Sequence, residues 1–86
     1  MYHVLVSRTF EKQFHAQNED IQQRIRHELG KLASDPFTPR SGLDIQPLTA
    51  TSPKKYRLRI GEYRIVYTVE KSSVRVIELF IRGREY

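Results

Sequence analysis

The chain has 86 residues, and its 15 Lys and Arg residues exceed its 10 Asp and Glu residues by a net charge of +5. This length favours a single domain spanning residues 1–86. The absence of cysteine excludes a disulfide scaffold, a thiolate zinc site and a cysteine nucleophile. No apolar run approaches the ~20 residues that span a bilayer, and no signal peptide opens the chain. We therefore expect a cytoplasmic protein that does not contact a membrane.

The charge is concentrated in the last part of the chain. Residues 1–53 hold six basic and six acidic residues, whereas residues 54–86 hold nine basic and four acidic ones. The whole positive excess therefore lies in the final 33 residues. This asymmetry favours an anionic partner that meets one face of the protein, although basic residues that merely keep a small domain soluble are the competing explanation.

The first third of the chain predicts a strand and two helices. Residues 2–6 are rich in β-branched and aromatic side chains, which is typical of a short strand. Ser7 can cap a helix over residues 8–17, and Asn18 can cap a second helix over 19–33. The second helix carries apolar residues at helical spacing, namely Ile21, Ile25, Leu29 and Leu32. The two helices should form a hairpin that covers one face of a sheet.

Residues 34–53 contain all four prolines and predict an ordered loop that crosses back to the sheet. Its expected anchors are apolar: Phe37, Leu43, Ile45 and Leu48.

The remaining residues alternate between apolar and polar, which is the period of a strand. Residues 56–60 and 63–69 predict a hairpin whose turn is Gly61-Glu62, with glycine first as in a type II′ turn. A further turn at residues 70–73 leads into a strand over residues 74–81. The predicted fold is therefore α+β: an N-terminal strand, a two-helix hairpin, and an antiparallel three-strand meander with the helices on one sheet face.

The alternation also predicts which face of the sheet is charged. If Leu58 and Ile60 turn toward the helices, then Arg57 and Arg59 must point to the opposite, uncovered face. In the next strand, Tyr63, Ile65, Tyr67 and Val69 should share one face, and Arg64, Val66 and Thr68 the other. The pattern therefore predicts an open surface lined with guanidinium groups.

The sequence offers few catalytic arrangements of familiar type. His3, His15 and His27 lie on three different predicted elements without a supporting carboxylate pattern, so we expect no metal site. The four glycines form no phosphate-binding loop, and no cofactor is expected.

A basic and aromatic cluster remains. It comprises Lys54, Lys55, Arg57, Arg59, Arg64, Arg82 and Arg84, interleaved with Tyr56, Tyr63, Tyr67 and Tyr86. Arginine matches phosphate oxygens bidentately and tyrosine stacks on unpaired bases, so the cluster favours contact with nucleic acid. The alternative is that solvent-facing strand positions simply prefer long charged residues and that tyrosine favours strands.

The stretch from Lys55 to Tyr67, which reads KYRLRIGEYRIVY, resembles the RelE toxins of prokaryotic toxin–antitoxin pairs. The C-terminal RGREY resembles the end of that family, most closely its archaeal branch. The element order agrees over nearly the whole chain, while the loop at residues 34–53 matches poorly. The central motif is shared across the RelE/ParE superfamily.

The resemblance implies a ribosome-dependent mRNA endonuclease that is inactivated by a cognate, RelB-like antitoxin. Such enzymes cut mRNA in the ribosomal A site through attack of the ribose 2′-hydroxyl on the adjacent phosphate, without a metal. Carried over by position, Arg57 and Arg64 would neutralise phosphate charge. Arg82 would stabilise the transition state or the leaving group, and Tyr86 would stack on a base or orient the 2′-hydroxyl.

Lys55 is the candidate general base, because the neighbouring cations Lys54 and Arg57 disfavour its charged form. Arg84 is an alternative to Arg82, because it lies two residues further on. Wider RNA or ribosome contacts are expected from Lys54, Arg59, Arg84 and Tyr63. Two other functions stay open at this point: a ParE-like toxin that inhibits gyrase, and an RNA-binding module without cleavage.

Overall fold

A computed structural model describes residues 1–48 and 54–81 of the chain. The elements are β1 (His3–Val6), α1 (Arg8–His15), α2 (Glu19–Leu32), β2 (Asp44–Pro47), β3 (Tyr56–Ile60), β4 (Tyr63–Glu70) and β5 (Ser73–Ile81). The predicted strand, the two helices and the three-strand meander are confirmed. Neither helix in the described ranges is long and apolar enough to cross a membrane.

Both helices begin at the predicted caps. The side-chain oxygen of Ser7 accepts a hydrogen bond from the backbone N–H of Phe10, and that of Asn18 accepts one from Ile21, each at 3.0 Å. Each cap satisfies an N–H group that the first helical turn leaves without a partner. Two short polar residues therefore predicted where each helix begins, whereas α1 ends two residues and α2 one residue before the predicted ends.

The sheet has five strands in the order β1-β5-β4-β3-β2. Strands β2 to β5 pair antiparallel, whereas β1 pairs parallel with β5. The two edge strands are therefore β1 and β2. The prediction of an uninterrupted loop over residues 34–53 is wrong at β2. Because β2 is an edge strand of four residues with a single buried side chain, Ile45, it carries no alternation that a pattern could reveal. Its last residue, Pro47, is a residue type that edge strands tolerate.

The two helices pack on one face of this sheet and form the core with it. The buried helix residues are Phe10, Phe14, Ile25, Leu29 and Leu32, and the buried sheet residues include Ile45, Leu58, Ile60, Ile65, Tyr67, Val74, Val76 and Leu79. A register shift between β4 and β5 at Val66/Tyr67 changes the phase of β5, so that Val76 and Leu79 both face the core.

The loop between α2 and β2 is anchored mainly by Leu43 and by the buried Pro36. The hydroxyl of the fully buried Tyr67 donates a hydrogen bond of 2.7 Å to the carbonyl of Pro36. Burial raises the pKa of Tyr67 above its ordinary value of 10.0. Phe37 was expected to be an anchor of equal weight, but 45% of its surface is exposed and its ring makes edge contacts with Tyr2 and Tyr56.

Candidate nucleic-acid interface

The face of the sheet that the helices leave open carries the predicted arginines. In β3, Leu58 and Ile60 are buried in the core, while Arg57 is half-buried and Arg59 is exposed. Arg64 in β4 is paired directly with Arg59 and therefore lies on the same face. The strand period alone thus brings three guanidinium groups from two adjacent strands onto one surface.

The register arranges this open face in rows across the sheet. One row runs from Asp44 through Arg59 and Arg64 to Phe80, and the next from Gln46 through Arg57 and Val66 to Glu78. Arg59 and Arg64 are direct cross-strand neighbours, and like charges in such a position are mutually destabilising. An anion bound between them would remove that repulsion.

Arg64 is held in place by the protein itself. It is only 8% exposed, and its Nη1 donates to the carbonyl oxygens of Gly61 at 3.3 Å and Tyr63 at 3.4 Å. Gly61 has a positive φ of 58°, which a type II′ turn requires at its first position and which favours glycine. The β3–β4 turn therefore directs the carbonyl of Gly61 toward Arg64 and holds the guanidinium group in position.

Arg57 is oriented by the neighbouring edge strand. Its Nη2 donates a hydrogen bond of 2.6 Å to Oε1 of Gln46, which lies directly opposite it in β2. Its Nε is buried and has no hydrogen-bond partner among the described residues. The edge strand therefore fixes one side of the guanidinium. Gln46 was missed in the sequence because the strand that carries it was missed.

Lys55 lies beside a groove on the same open face. The groove has a volume of about 400 Å³ and is lined by Leu5, Val6, Ser7, Lys55, Thr68, Glu70, Arg75, Val76 and Ile77. Arg75 pairs with Leu5 on one side and with Thr68 on the other, and its side chain is exposed. Arg75 therefore adds a base to this surface that sequence reasoning did not select. The alternation of buried Val74 and Val76 around it was the available signal.

Two of the predicted contact residues lie on the helix side of the sheet instead. The ring of Tyr63 packs against the core, and its hydroxyl donates a hydrogen bond of 3.1 Å to Oε1 of Gln17. The ammonium group of Lys54 lies 5.9 Å from the ring centroid of Tyr56, which is stacked on the buried Tyr67. The structure does not bring Tyr63 or Lys54 together with the open-face arginines.

The three predicted residues of the C-terminal motif, Arg82, Arg84 and Tyr86, lie outside the described residues. Within residues 1–48 and 54–81, no three His, Asp or Glu side chains are grouped closely enough to hold a metal ion. The guanidinium groups of Arg57, Arg59 and Arg64 give the open face positive charge and N–H donors, which suit a phosphodiester.

Comparison with solved structures places this fold among bacterial and archaeal toxins. A chain of the archaeal RelE–RelB complex from Pyrococcus horikoshii OT3 superposes with a TM-score of 0.83 and 26% identity over 98% of both chains. The isolated Escherichia coli RelE toxin gives a TM-score of 0.78 at 19% identity, covering 99% of this chain and 88% of the toxin. A chain of the RelB–RelE antitoxin–toxin complex from Methanococcus jannaschii gives 0.72 at 22% identity, covering 90% and 88%.

The sequence itself matches the family of ParE toxins of type II toxin–antitoxin systems (parDE) over residues 4–86. The chain therefore belongs to this toxin family, within the RelE/ParE superfamily. A comparison with curated protein sequences finds no match.

Proposed function

We propose that this toxin is a ribosome-dependent mRNA endonuclease that cleaves mRNA in the ribosomal A site and thereby inhibits translation. The observation that carries the proposal is the placement of Lys55, Arg57, Arg59 and Arg64 on the sheet face opposite the helices. A phosphate undergoing attack needs positive charge of this kind, whereas a surface that binds gyrase does not.

The proposed reaction uses no metal and requires the protein to do three things: to accept a proton, to donate one, and to stabilise negative charge. The 2′ oxygen of a ribose attacks the adjacent phosphorus, and its proton passes to a base. The bond from phosphorus to the 5′ oxygen then breaks, and that oxygen takes up a proton. The products are a 2′,3′-cyclic phosphate and a 5′-hydroxyl end. The phosphorane between them carries extra negative charge, which positioned arginines stabilise.

Arg57 and Arg64 are the proposed phosphate ligands. Both are held before substrate arrives, Arg57 by Gln46 and Arg64 by two backbone carbonyls. Groups that are already oriented lose little freedom when the transition state forms, so their charge acts at full strength.

The remaining roles follow the family resemblance. Lys55 is the proposed base, Arg82 the proposed group at the transition state or leaving oxygen, and Tyr86 the proposed base-stacking or 2′-hydroxyl-orienting group. Arg59 and Arg84 would contact RNA or the ribosome around the cut site. Because Lys54 and Tyr63 lie on the helix side, any contact they make belongs to a different surface.

The proposed protein partner is a cognate antitoxin. Three structures that share this fold are of toxin–antitoxin complexes, two of RelE with RelB and one of the Escherichia coli RelBE complex. By analogy, an acidic or amphipathic antitoxin segment would cover or remodel the basic face of this chain and prevent its access to the ribosome.

Primer extension on an actively translated mRNA tests the activity. We expect cleavage at A-site codons when the toxin is added to translating ribosomes, and intact mRNA when translation is blocked. Arg57→Gln should reduce cleavage by about 10²–10³-fold, the typical effect of losing one oriented donor to a charged transition state. The matched control is Arg8→Gln, which removes the same charge from an exposed position on α1. Equal cleavage by Arg57→Gln and the control would contradict the assigned role.

The two terminal arginines are separated by the same assay. We expect Arg82→Ala to lower cleavage by orders of magnitude, and Arg84→Ala to have the smaller effect. The reverse order would transfer the transition-state role to Arg84.

The family that the sequence matches is that of the ParE toxins, and this favours gyrase inhibition as the second candidate. A supercoiling assay with purified gyrase distinguishes the two functions. Inhibited supercoiling with intact mRNA would establish the second candidate, and RNA binding with neither effect would indicate a binding module.

A further inference from the structure

A second cleft lies at one end of the sheet, between α2 and the turn that joins β3 to β4. We call it the end cleft; its volume is about 360 Å³ and its lining is Arg24, Glu28, Arg40, Gly42, Leu43, Asp44, Arg59, Ile60 and Gly61. Arg59 belongs to both surfaces, because it is also part of the open face. The end cleft is therefore continuous with the proposed RNA-binding surface.

Two of the arginines that line the end cleft carry guanidinium groups that are available to a ligand. Arg24 and Arg59 are exposed, and neither donates a hydrogen bond or forms a salt bridge within the described part of the chain. Arg24 extends over the turn: a methyl group built on Gly61 would lie 3.3 Å from its Nη1. Glycine thus leaves room for the guanidinium to approach the backbone closely.

Arg40 differs from these two, because three of the N–H donors of its guanidinium already bond to backbone carbonyls. Its Nη1 bonds to the carbonyls of Asp35 at 3.2 Å and Thr38 at 2.6 Å, and its Nη2 bonds to the carbonyl of Lys31 at 3.0 Å. Arg40 therefore forms a wall of the end cleft and ties the loop to α2.

Glu28 supplies an acceptor in the same cleft. It is 9% exposed, its Oε2 pairs with the ammonium of Lys31 at 3.4 Å, and its Oε1 is buried without a hydrogen-bond partner among the described residues. Arg24 lies four residues before Glu28 on α2 but does not pair with it. An unpartnered buried carboxylate oxygen is costly, so rotation of the carboxylate toward a donor in the cleft would be favourable.

We propose that the end cleft binds one ribonucleotide of an RNA strand, with Arg24 and Arg59 clamping its phosphate and Glu28 accepting a hydrogen bond from its 2′-hydroxyl. A ribonucleotide carries both an anion and a neutral donor, which matches the two kinds of group left over in the cleft. The proposal rests on the proposed function in that it takes RNA as the ligand. The site lies outside the cut site and would extend the RNA track around the edge of the sheet.

Binding of free RNA tests the clamp. Fluorescence anisotropy with the full chain and a short labelled single-stranded oligouridine, titrated between about 50 and 200 mM salt, gives the affinity and its salt dependence. We expect Arg24→Gln to weaken binding about tenfold, as for a lost charge-assisted hydrogen bond. Arg8→Gln, the matched control on α1, should bind like the wild type. Wild-type affinity in Arg24→Gln would overturn the proposal.

A double variant distinguishes a clamp from two separate contacts. If Arg24 and Arg59 hold the same phosphate, the two fold-changes will not multiply in Arg24→Gln/Arg59→Gln, and the salt slope will fall by about 0.7 in total. Two separate phosphates would give multiplied losses and about twice that change in slope, which would refute the clamp.

The 2′-hydroxyl contact is tested by comparing the affinities of the protein for oligouridine and for oligodeoxyuridine of the same length. Glu28→Gln should narrow the preference for RNA, because a neutral acceptor is weaker than a charged one. If that variant does not fold, the contact is tested with 2′-O-methylated oligouridine instead. Methylation should lower the RNA affinity of the wild type more than it lowers that of Arg24→Gln. An equal cost in both proteins would exclude a 2′-hydroxyl donor in the end cleft.

These measurements do not depend on cleavage. Failure of the cleavage assay with retained, Arg24-dependent RNA binding would refute the endonuclease while supporting the end cleft. Cleavage by the wild type, together with unchanged RNA affinity in Arg24→Gln, would support the endonuclease and refute the end cleft as an RNA site.

Discussion

The two faces of the sheet are made by the same strands but obey different physical demands. On the helix face, Leu58, Ile65 and Tyr67 are fully buried and pack against both helices. On the open face, the neighbouring residues Arg57, Arg59 and Arg64 place like charges side by side, an arrangement that folding alone does not favour. Burial of apolar side chains therefore explains the composition of the helix face, whereas stability does not explain the charges on the open face.

Replacing a helix-face residue should have the largest effect on stability. Leu58→Ala removes a side chain with no exposed surface from the centre of the core, and we expect a loss of about 2–5 kcal/mol in the free energy of unfolding. Urea unfolding followed by circular dichroism measures it. A loss below about 1 kcal/mol would mean that the core collapses around the gap and that the contrast between the faces is overstated.

Tyr67, on the helix face, should contribute to stability in a way that depends on pH. Tyr67→Phe leaves the buried carbonyl of Pro36 without its donor, so we expect a loss of about 1–3 kcal/mol at neutral pH. Because the folded pKa of Tyr67 is raised, the native state keeps the phenol proton where the unfolded chain releases it. The stability from this group is complete below its unfolded pKa of 10.0 and falls as pH rises above that value.

Unfolding at increasing alkaline pH checks this sign. The stability difference between wild type and Tyr67→Phe should shrink above about pH 10. A constant difference would show that the phenol does not stay protonated in the folded state.

Asp35 makes the corresponding prediction at acid pH, with a smaller effect because it lies at the surface. The backbone N–H of Phe37, which donates to Oδ1 at 2.9 Å, and then Thr38 hold the pKa of Asp35 below its usual value of 3.8. Its contribution is present above the unfolded pKa and is lost as pH falls through the lower folded pKa. Asp35→Asn should therefore be less stable than wild type near neutral pH and should approach it in strong acid, as measured by denaturant midpoints. A gap that widened in acid would reverse the assigned direction.

Replacing an open-face arginine should have the smallest effect on stability. Arg59→Gln removes the cross-strand repulsion with Arg64, so we expect a change within about 0.5 kcal/mol, on the stabilising side. Thermal unfolding of this variant beside Leu58→Ala compares adjacent residues on opposite faces. A clear destabilisation by Arg59→Gln would mean that the open face also supports the fold.

The predictions from sequence succeeded where a local pattern fixes the outcome. The caps at Ser7 and Asn18, the turn at Gly61 and the alternation through Arg57 and Arg59 are each readable within a few residues. Strand β2 was missed, because four residues with one buried side chain contain no period. Tyr63 was grouped with the arginines by type, although its strand position already placed it with Ile65 on the helix side.

The order of the two helices and of strands β1, β3, β4 and β5 can be read from the sequence, as can the alternation of side chains along β3 and β4, because backbone geometry imposes periods of 3.6 and 2 on helices and strands. Only the tertiary structure decided which residues from different elements meet. It paired Gln46 with Arg57, buried Arg64 against the turn, and brought Arg24 from α2 to the edge that holds Arg59. The physical reason is that strand register and helix packing are long-range: they are set by the shared core, and no local spacing encodes them.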